Sequence, residues 1–174
     1  MGLIKSILKR NKWIANKLRK TRWIIRALFR RDVFYRIQCK CKKKFYGTDY
    51  GGWVICPTNI IKESVIYCFG VGEDISFDIS LINIYDVNVY AFDPTPQSIN
   101  WVKTQNLPKK FHFFDFGIAD YDGIAKFHRI NPGKEISHTI IDTSMPFITQ
   151  IEVQVYRLKT ILEMLGHDKI DILK

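Results

Sequence analysis

The sequence predicts an α/β fold, a parallel sheet with helices on both faces, preceded by a basic amphipathic helix. Three observations carry this expectation. Val65-Ile66-Tyr67-Cys68-Phe69 is an apolar run that ends in the turn Gly70-Val71-Gly72, with Glu73 and Asp74 directly after it. A second apolar run, Val89-Tyr90-Ala91-Phe92, follows about twenty residues on and ends in a single carboxylate, Asp93. From residue 49 onward, runs of strand length alternate with stretches of helical periodicity. Strand, glycine turn, helix, strand and terminal acid is the order of the nucleotide-binding half of a Rossmann-like unit.

Taken in chain order, residues 2–31 read as one long helix. Ile7, Ile14, Leu18, Ile25 and Phe29 share a face, and Lys and Arg fill the rest. Residues 33–48 read as a linker or short strand. Val65 to Phe69 is the first strand of the sheet. Asp74 to Ile84 is a helix that turns Ile75, Ile79 and Ile82 toward the sheet. Asn88 to Phe92 is the second strand. Thr95 to Gln105 is a helix that Pro96 opens, since proline is tolerated in a first turn. Lys110 to Phe116 is the third strand. Ile124 to Ile130 and Glu152 to Arg157 read as antiparallel insertions. Thr160 to Leu165 is a short helix stopped by Gly166, and Ile170 to Leu173 is the last strand. Alternation of this kind implies parallel pairing.

The chain has 174 residues, 47% of them hydrophobic and 14% aromatic, which is enough for one real core and argues against disorder. Its net charge of +10 is uneven. Residues 1–44 carry 16 Lys/Arg and one acid, Asp32, or +15; residues 45–174 carry 11 Lys/Arg and 16 acids, or −5. The expected organisation is therefore a basic arm and linker over residues 1–44 and a mildly acidic domain over 45–174. Of the four cysteines, Cys68 falls in a strand and reads as a small apolar core residue. Cys39-x-Cys41 has no second ligand pair of metal spacing, so no metal site is expected and reduced thiols are the simplest reading.

Several residues are candidates for binding. Gly70 and Gly72 let backbone approach a ligand, and the helix after them offers free N–H groups; they also simply turn the chain. Asp93 stands outside the carboxyl end of its strand, where it could accept hydrogen bonds from ribose hydroxyls or cap the next helix. Glu73 and Asp74 open a helix, where acids are favoured by its dipole. Asp49, Tyr50 and Trp53 read either as an aromatic lid or as a Gly51-Gly52 turn anchored by a buried Trp; the turn is the plainer reading. His112 alternates with apolar residues and reads as a satisfied sheet residue, Asp171 as a structural charge, and Lys174 as a frayed end. No catalytic residue is assigned.

The ordered set resembles the FkbM-type methyltransferases. It comprises Asp49-Tyr50-Gly51-Gly52-Trp53, the glycine turn, Asp93-Pro94-Thr95-Pro96, Gly117-Ile118-Ala119-Asp120-Tyr121-Asp122-Gly123, Arg157-Leu158 and Lys169-Ile170-Asp171-Ile172-Leu173-Lys174. The resemblance covers residues 46–174. It implies a class I methyltransferase sheet and S-adenosylmethionine as cofactor, with Gly70 and Gly72 against its methionine and ribose. Glu73 or Asp74 would meet its ammonium, and Asp115 and Phe116 would lie at its adenine. It also implies an Asp-x-Glu-Gly segment and further strands after Lys174, so the sheet is expected to be partial. An acid usual before the first glycine is replaced by Tyr67 or Cys68.

The function expected on this resemblance is methyl transfer to a hydroxyl of a small molecule or glycan. The alternative is a truncated, non-catalytic relative that binds S-adenosylmethionine weakly or acts only through its arm. A nicotinamide enzyme is disfavoured, because Ile75 stands where a third glycine belongs and Glu73 and Asp74 would repel a pyrophosphate. The arm pairs an apolar stripe, with Trp13 and Trp23, and a Lys/Arg face, the pattern of a helix lying on an anionic membrane surface; nucleic acid is the weaker expectation. Met1-Gly2-Leu3-Ile4-Lys5-Ser6 fits the loose myristoylation pattern. No run approaches the ~20 apolar residues of a spanning helix, and no secretory signal is evident. The expected location is cytoplasmic, peripheral on a membrane if the arm docks there.

Overall fold

The structure is a computed structural model that describes residues 12–29, 31–33, 40–129, 138–139 and 149–174. It divides into two compact units, Met1–Lys40 and Cys41–Lys174. In the first unit, Lys12–Leu28 form helix α1. Residues 2–11 of the expected helix lie outside the described residues. The helix ends before residue 31: Phe29 N–H still reaches Ile25, but Arg31 N–H bonds back to Arg26. Asp32 holds the exit, pairing with Arg26 at 3.5 Å and accepting from Val33 N–H. Leu18, Ile25 and Leu28 of α1 are exposed. No described helix is long and apolar enough to cross a membrane.

The second unit opens with a hairpin, β1 (Lys44–Tyr46) paired antiparallel with β2 (Trp53–Ile55). The main sheet follows: β3 (Val65–Phe69), helix α2 (Ser76–Tyr85), β4 (Asn88–Phe92), helix α3 (Pro96–Lys103), β5 (Phe111–Phe114) and, at the end, β10 (Ile172–Leu173). All pairs are parallel and the spatial order is β10-β3-β4-β5. Counted along the chain this is 3-2-1-4, the start of a doubly wound sheet, with its reversal point between β3 and β10. The α/β expectation with a parallel sheet therefore stands, and the order is compatible with a Rossmann-like fold.

Both faces of the sheet are covered because alternate strand residues are apolar on each. Ile66, Cys68, Val89, Ala91 and Phe111 pack against Ile75, Phe77, Leu81 and Ile82 of the α2 segment. Tyr67, Phe92 and Phe116 pack against Leu158, Ile161, Leu162 and Leu165, all four from helix α4 (Leu158–Leu165). Helix α4 ends at Gly166, φ 68°, whose N–H caps the Glu163 carbonyl, as the glycine predicts.

The insertions are antiparallel, as expected, but they build a separate sheet. Its order is β6 (Gly117–Ile118), β9 (Thr149–Tyr156), β7 (Gly123–Arg129), β8 (His138–Thr139). The third strand of the main sheet consequently stops at Phe114 rather than Phe116. Asp93 N–H closes the ladder on the Phe114 carbonyl, and the chain then leaves to pair Gly117 and Ile118 with β9.

Candidate functional site

The site lies outside the carboxyl ends of β3, β4 and β10, where open α/β sheets bind ligands. Two adjoining cavities share Phe69, Gly70 and Asp93. The larger, about 410 Å³, sits at the reversal point between Gly70–Asp74 and Lys174, with Tyr50, Gly51 and Trp53 as its other wall. The smaller, about 210 Å³, is lined by Phe92, Pro94, Thr95, Gly117, Ile118 and Phe127. Together they form one groove with an acidic end and an apolar end.

Asp93 governs the glycine turn. Gly70 and Gly72 have φ of 80° and 59°, left-handed values that favour glycine. In this conformation Val71 N–H and Gly72 N–H both donate to Asp93 Oδ2, at 2.9 and 3.0 Å. Thr95 N–H and Thr95 Oγ1 donate to Oδ1, at 3.0 and 2.7 Å. The carboxylate is 5% exposed, and its four acceptor sites are all used. The backbone N–H groups expected to face a ligand thus face a carboxylate of the protein itself, as an anion-binding nest would. Asp93 borders both cavities, but its first role is to hold the turn; a ribose hydroxyl would have to share an oxygen already engaged.

The other expected residues separate by role. Glu73 is exposed, borders the larger cavity and accepts from Gln97 Nε2 at 3.0 Å. Asp74 borders the same cavity but is tied inward. It accepts from Ser76 N–H at 2.7 Å and from Thr48 Oγ1. Burial pushes its carboxyl up, and the Ser76 and Thr48 bonds outweigh that and hold it below the usual range. Asp74 therefore fastens the 48–51 loop to the start of α2. Asp115 is exposed and lines neither cavity. Phe116 is buried against Phe92, Phe114 and Tyr156. The chain turns away after Phe114, so Gly117, Ile118 and Phe127 occupy the wall expected of Asp115 and Phe116.

The structure favours the aromatic wall over the plainer turn reading at Tyr50 and Trp53, corrects the reading of Lys174, and brings in Asp78, which the sequence did not single out. Trp53 and Tyr50 are 53% and 76% exposed and wall the groove, so the Gly51-Gly52 turn is not anchored by a buried Trp. Lys174 is not frayed. Its backbone continues β10 alongside β3, bonding Tyr67 and Phe69. Its side chain, 8% exposed, lies 3.8 Å from Asp78 Oδ2, which is 2% exposed, and over the Phe77 ring. Asp78 Oδ1 has no hydrogen-bond partner. Burial raises the Asp78 carboxyl, while Lys174 and the Cys68 thiol pull it back down. The hint in sequence was an acid on the helix face otherwise occupied by Ile75, Ile79 and Ile82. His112 bonds Asn88 Oδ1, and Asp171 accepts from Val65 N–H, both as structural residues. Among the described residues no group of three or more His, Cys, Asp or Glu could hold a metal.

Comparison with family models, with curated proteins and with solved structures gives no match.

Proposed function

We propose that the Cys41–Lys174 unit binds S-adenosylmethionine and transfers its methyl group to a hydroxyl oxygen of a small molecule or glycan, as its FkbM-like motifs imply. The observation that carries this reading is the groove at the sheet's reversal point, with carboxylates and aromatic rings at one end and an apolar slot at the other. That chemistry suits a ligand with a cationic end and a flat apolar end. It does not suit a dinucleotide, because the Val71 and Gly72 N–H groups a pyrophosphate would need are taken by Asp93.

S-adenosylmethionine supplies a methyl on a sulfonium that is already reactive toward nucleophiles. The chain's residues would therefore bind and align. Glu73 would face the ammonium, and Tyr50, Trp53 and Phe69 would line the cationic centre, where aromatic faces attract positive charge. Pro94, Ile118 and Phe127 would enclose the adenine. Asp93 would keep the turn shaped to receive the ribose side. A non-catalytic binding protein on the same groove is the alternative.

Calorimetry on the full chain tests this. Micromolar binding of S-adenosylmethionine is expected, weakened about tenfold in Glu73→Gln, the loss of one exposed charge contact. NADH should not bind. A folded protein that takes up no S-adenosylmethionine sinks the reading.

A separate observation supports a partner for α1. Leu18, Ile24, Ile25 and Leu28 are exposed within one arc of the helix, which Lys17 and Thr21 share, while Arg19 and Arg26 fall across from it and Arg22 at its edge. That favours an anionic lipid surface over nucleic acid, which would not need the apolar arc. Sedimentation with phosphatidylserine vesicles, lost in Leu18→Glu/Ile25→Glu, is the expected result; RNA binding that survives this change would oppose it.

A further inference from the structure

Lys174 lines the larger cavity, across from the turn Gly70–Asp74. Its side chain is 8% exposed, and its Nζ lies 3.8 Å from Asp78 Oδ2 and 5.6 Å from the centre of the Phe77 ring. The ion pair is longer than a hydrogen bond, so Asp78 takes up none of the three N–H donors of the ammonium. Those donors belong to a group largely removed from bulk water, where leaving them unmade is costly. Lys174 is also the one cationic side chain among the described residues that line this cavity, against the carboxylates of Glu73, Asp74 and Asp93.

We propose that Lys174 holds the carboxylate of the ligand's amino-acid end, and that with Glu73 it makes the site specific for an α-amino acid head. This rests on the reading of the groove as a site for S-adenosylmethionine, which carries a carboxylate and an ammonium on one carbon. The backbone donors at hand are already spent. Gly51 N–H donates to Thr48 Oγ1, Gly70 N–H to the Phe92 carbonyl, and Val71 and Gly72 N–H to Asp93. A carboxylate entering a cavity lined by three acids is repelled unless a cation meets it. Lys174 is that cation, and Glu73, exposed on the same cavity, is left for the ammonium.

Asp78 and Phe77 make this ammonium a positioned charge. The ion pair and the ring face hold it at the start of α2, so little side-chain freedom is lost when a ligand arrives. Asp78 is also a rival for the same charge. Removing its charge while keeping its shape leaves the ligand carboxylate as the nearer counter-charge for Lys174.

The experiment is calorimetry on the full chain with S-adenosylmethionine and with its decarboxylated analogue, which differ only in the carboxylate. The wild-type chain should bind S-adenosylmethionine about tenfold more tightly, the worth of one charge contact. In Asp78→Leu/Lys174→Met, which removes the ion pair as a unit, the preference should reverse, because the remaining acids favour the ligand that has no carboxylate. Asp78→Asn should tighten S-adenosylmethionine severalfold and leave the analogue unchanged, whereas a lysine that only supports the fold would affect both ligands alike. Equal binding of the two ligands by the wild-type chain, or a preference that survives in the double variant, would overturn the assignment and leave S-adenosylmethionine as the ligand. A folded chain that binds neither ligand would remove the S-adenosylmethionine reading and this one with it.

Discussion

At the scale of single residues, two buried carboxylates divide the work. Asp93 is fully hydrogen-bonded, so its value lies in order rather than in charge alone. Replacement by Asn turns an N–H₂ group toward backbone N–H donors and leaves them unpaired. Asp93→Asn is expected to cost about 2–3 kcal/mol in urea unfolding, close to the cost of Asp93→Ala, since hydrogen bonds to a charged group are the strong ones. Asp78 is only partly satisfied, with Lys174 as its counter-charge among the described residues and Oδ1 unpaired there. Removing one partner of a buried pair strands the other charge. Lys174→Met should therefore destabilise by about 3 kcal/mol, and adding Asp78→Leu should recover most of it; the coupling is read from a double-mutant cycle. The pH dependence has a definite sign. The folded Asp78 carboxyl is raised, so its contribution is fully present below the unfolded value and is lost as pH rises through the folded one. In Lys174→Met that value rises further, and the fall in stability toward neutral pH should steepen.

At the scale of elements, the turn and cap residues explain local shape. A Cβ on Gly52 would stand 2.4 Å from the Thr48 carbonyl oxygen and 2.6 Å from that of Tyr46. Backbone cannot yield there, so Gly52→Ala should cost about 2 kcal/mol by overpacking and displace the Trp53 wall, visible as a change in Trp fluorescence. At the start of α4, Asp122 accepts from Arg157 N–H, Nε and Nη2 and from Thr160 Oγ1. The Arg157 side chain, then its backbone N–H and the Thr160 hydroxyl, hold the Asp122 carboxyl down at about 2 against an ordinary 3.8. A depressed carboxyl contributes stability above its unfolded value and loses it as pH falls through the folded one. The melting temperature should drop between those two values, and Asp122→Asn should flatten that part of the acid limb.

At the scale of the molecule, strand order and charge distribution set what each unit offers. The order β10-β3-β4-β5 creates the reversal point that leaves room for the larger cavity. The net positive charge, +15, sits in residues 1–44, and residues 45–174 carry a net −5. Vesicle binding by the full chain should therefore weaken with added salt yet keep a residual apolar component, whereas a purely electrostatic arm would release completely.

Much of this was legible in sequence because it depends on local periodicity. The strands at 65–69 and 88–92, the helix between them, the Gly166 stop and the glycine turn each follow from a few neighbouring residues. The structure alone decided that Asp93 grips the turn's N–H groups, that the insertions form a second sheet, and that Phe127 rather than Phe116 reaches the groove. It alone seated Lys174 on Asp78. The reason is range. Period and turn chemistry act over a few residues and leave a pattern in the chain. Which carboxylate meets which amide, and which lysine meets which buried acid, depends on how distant segments fold over one another, and the sequence carries no periodic trace of that.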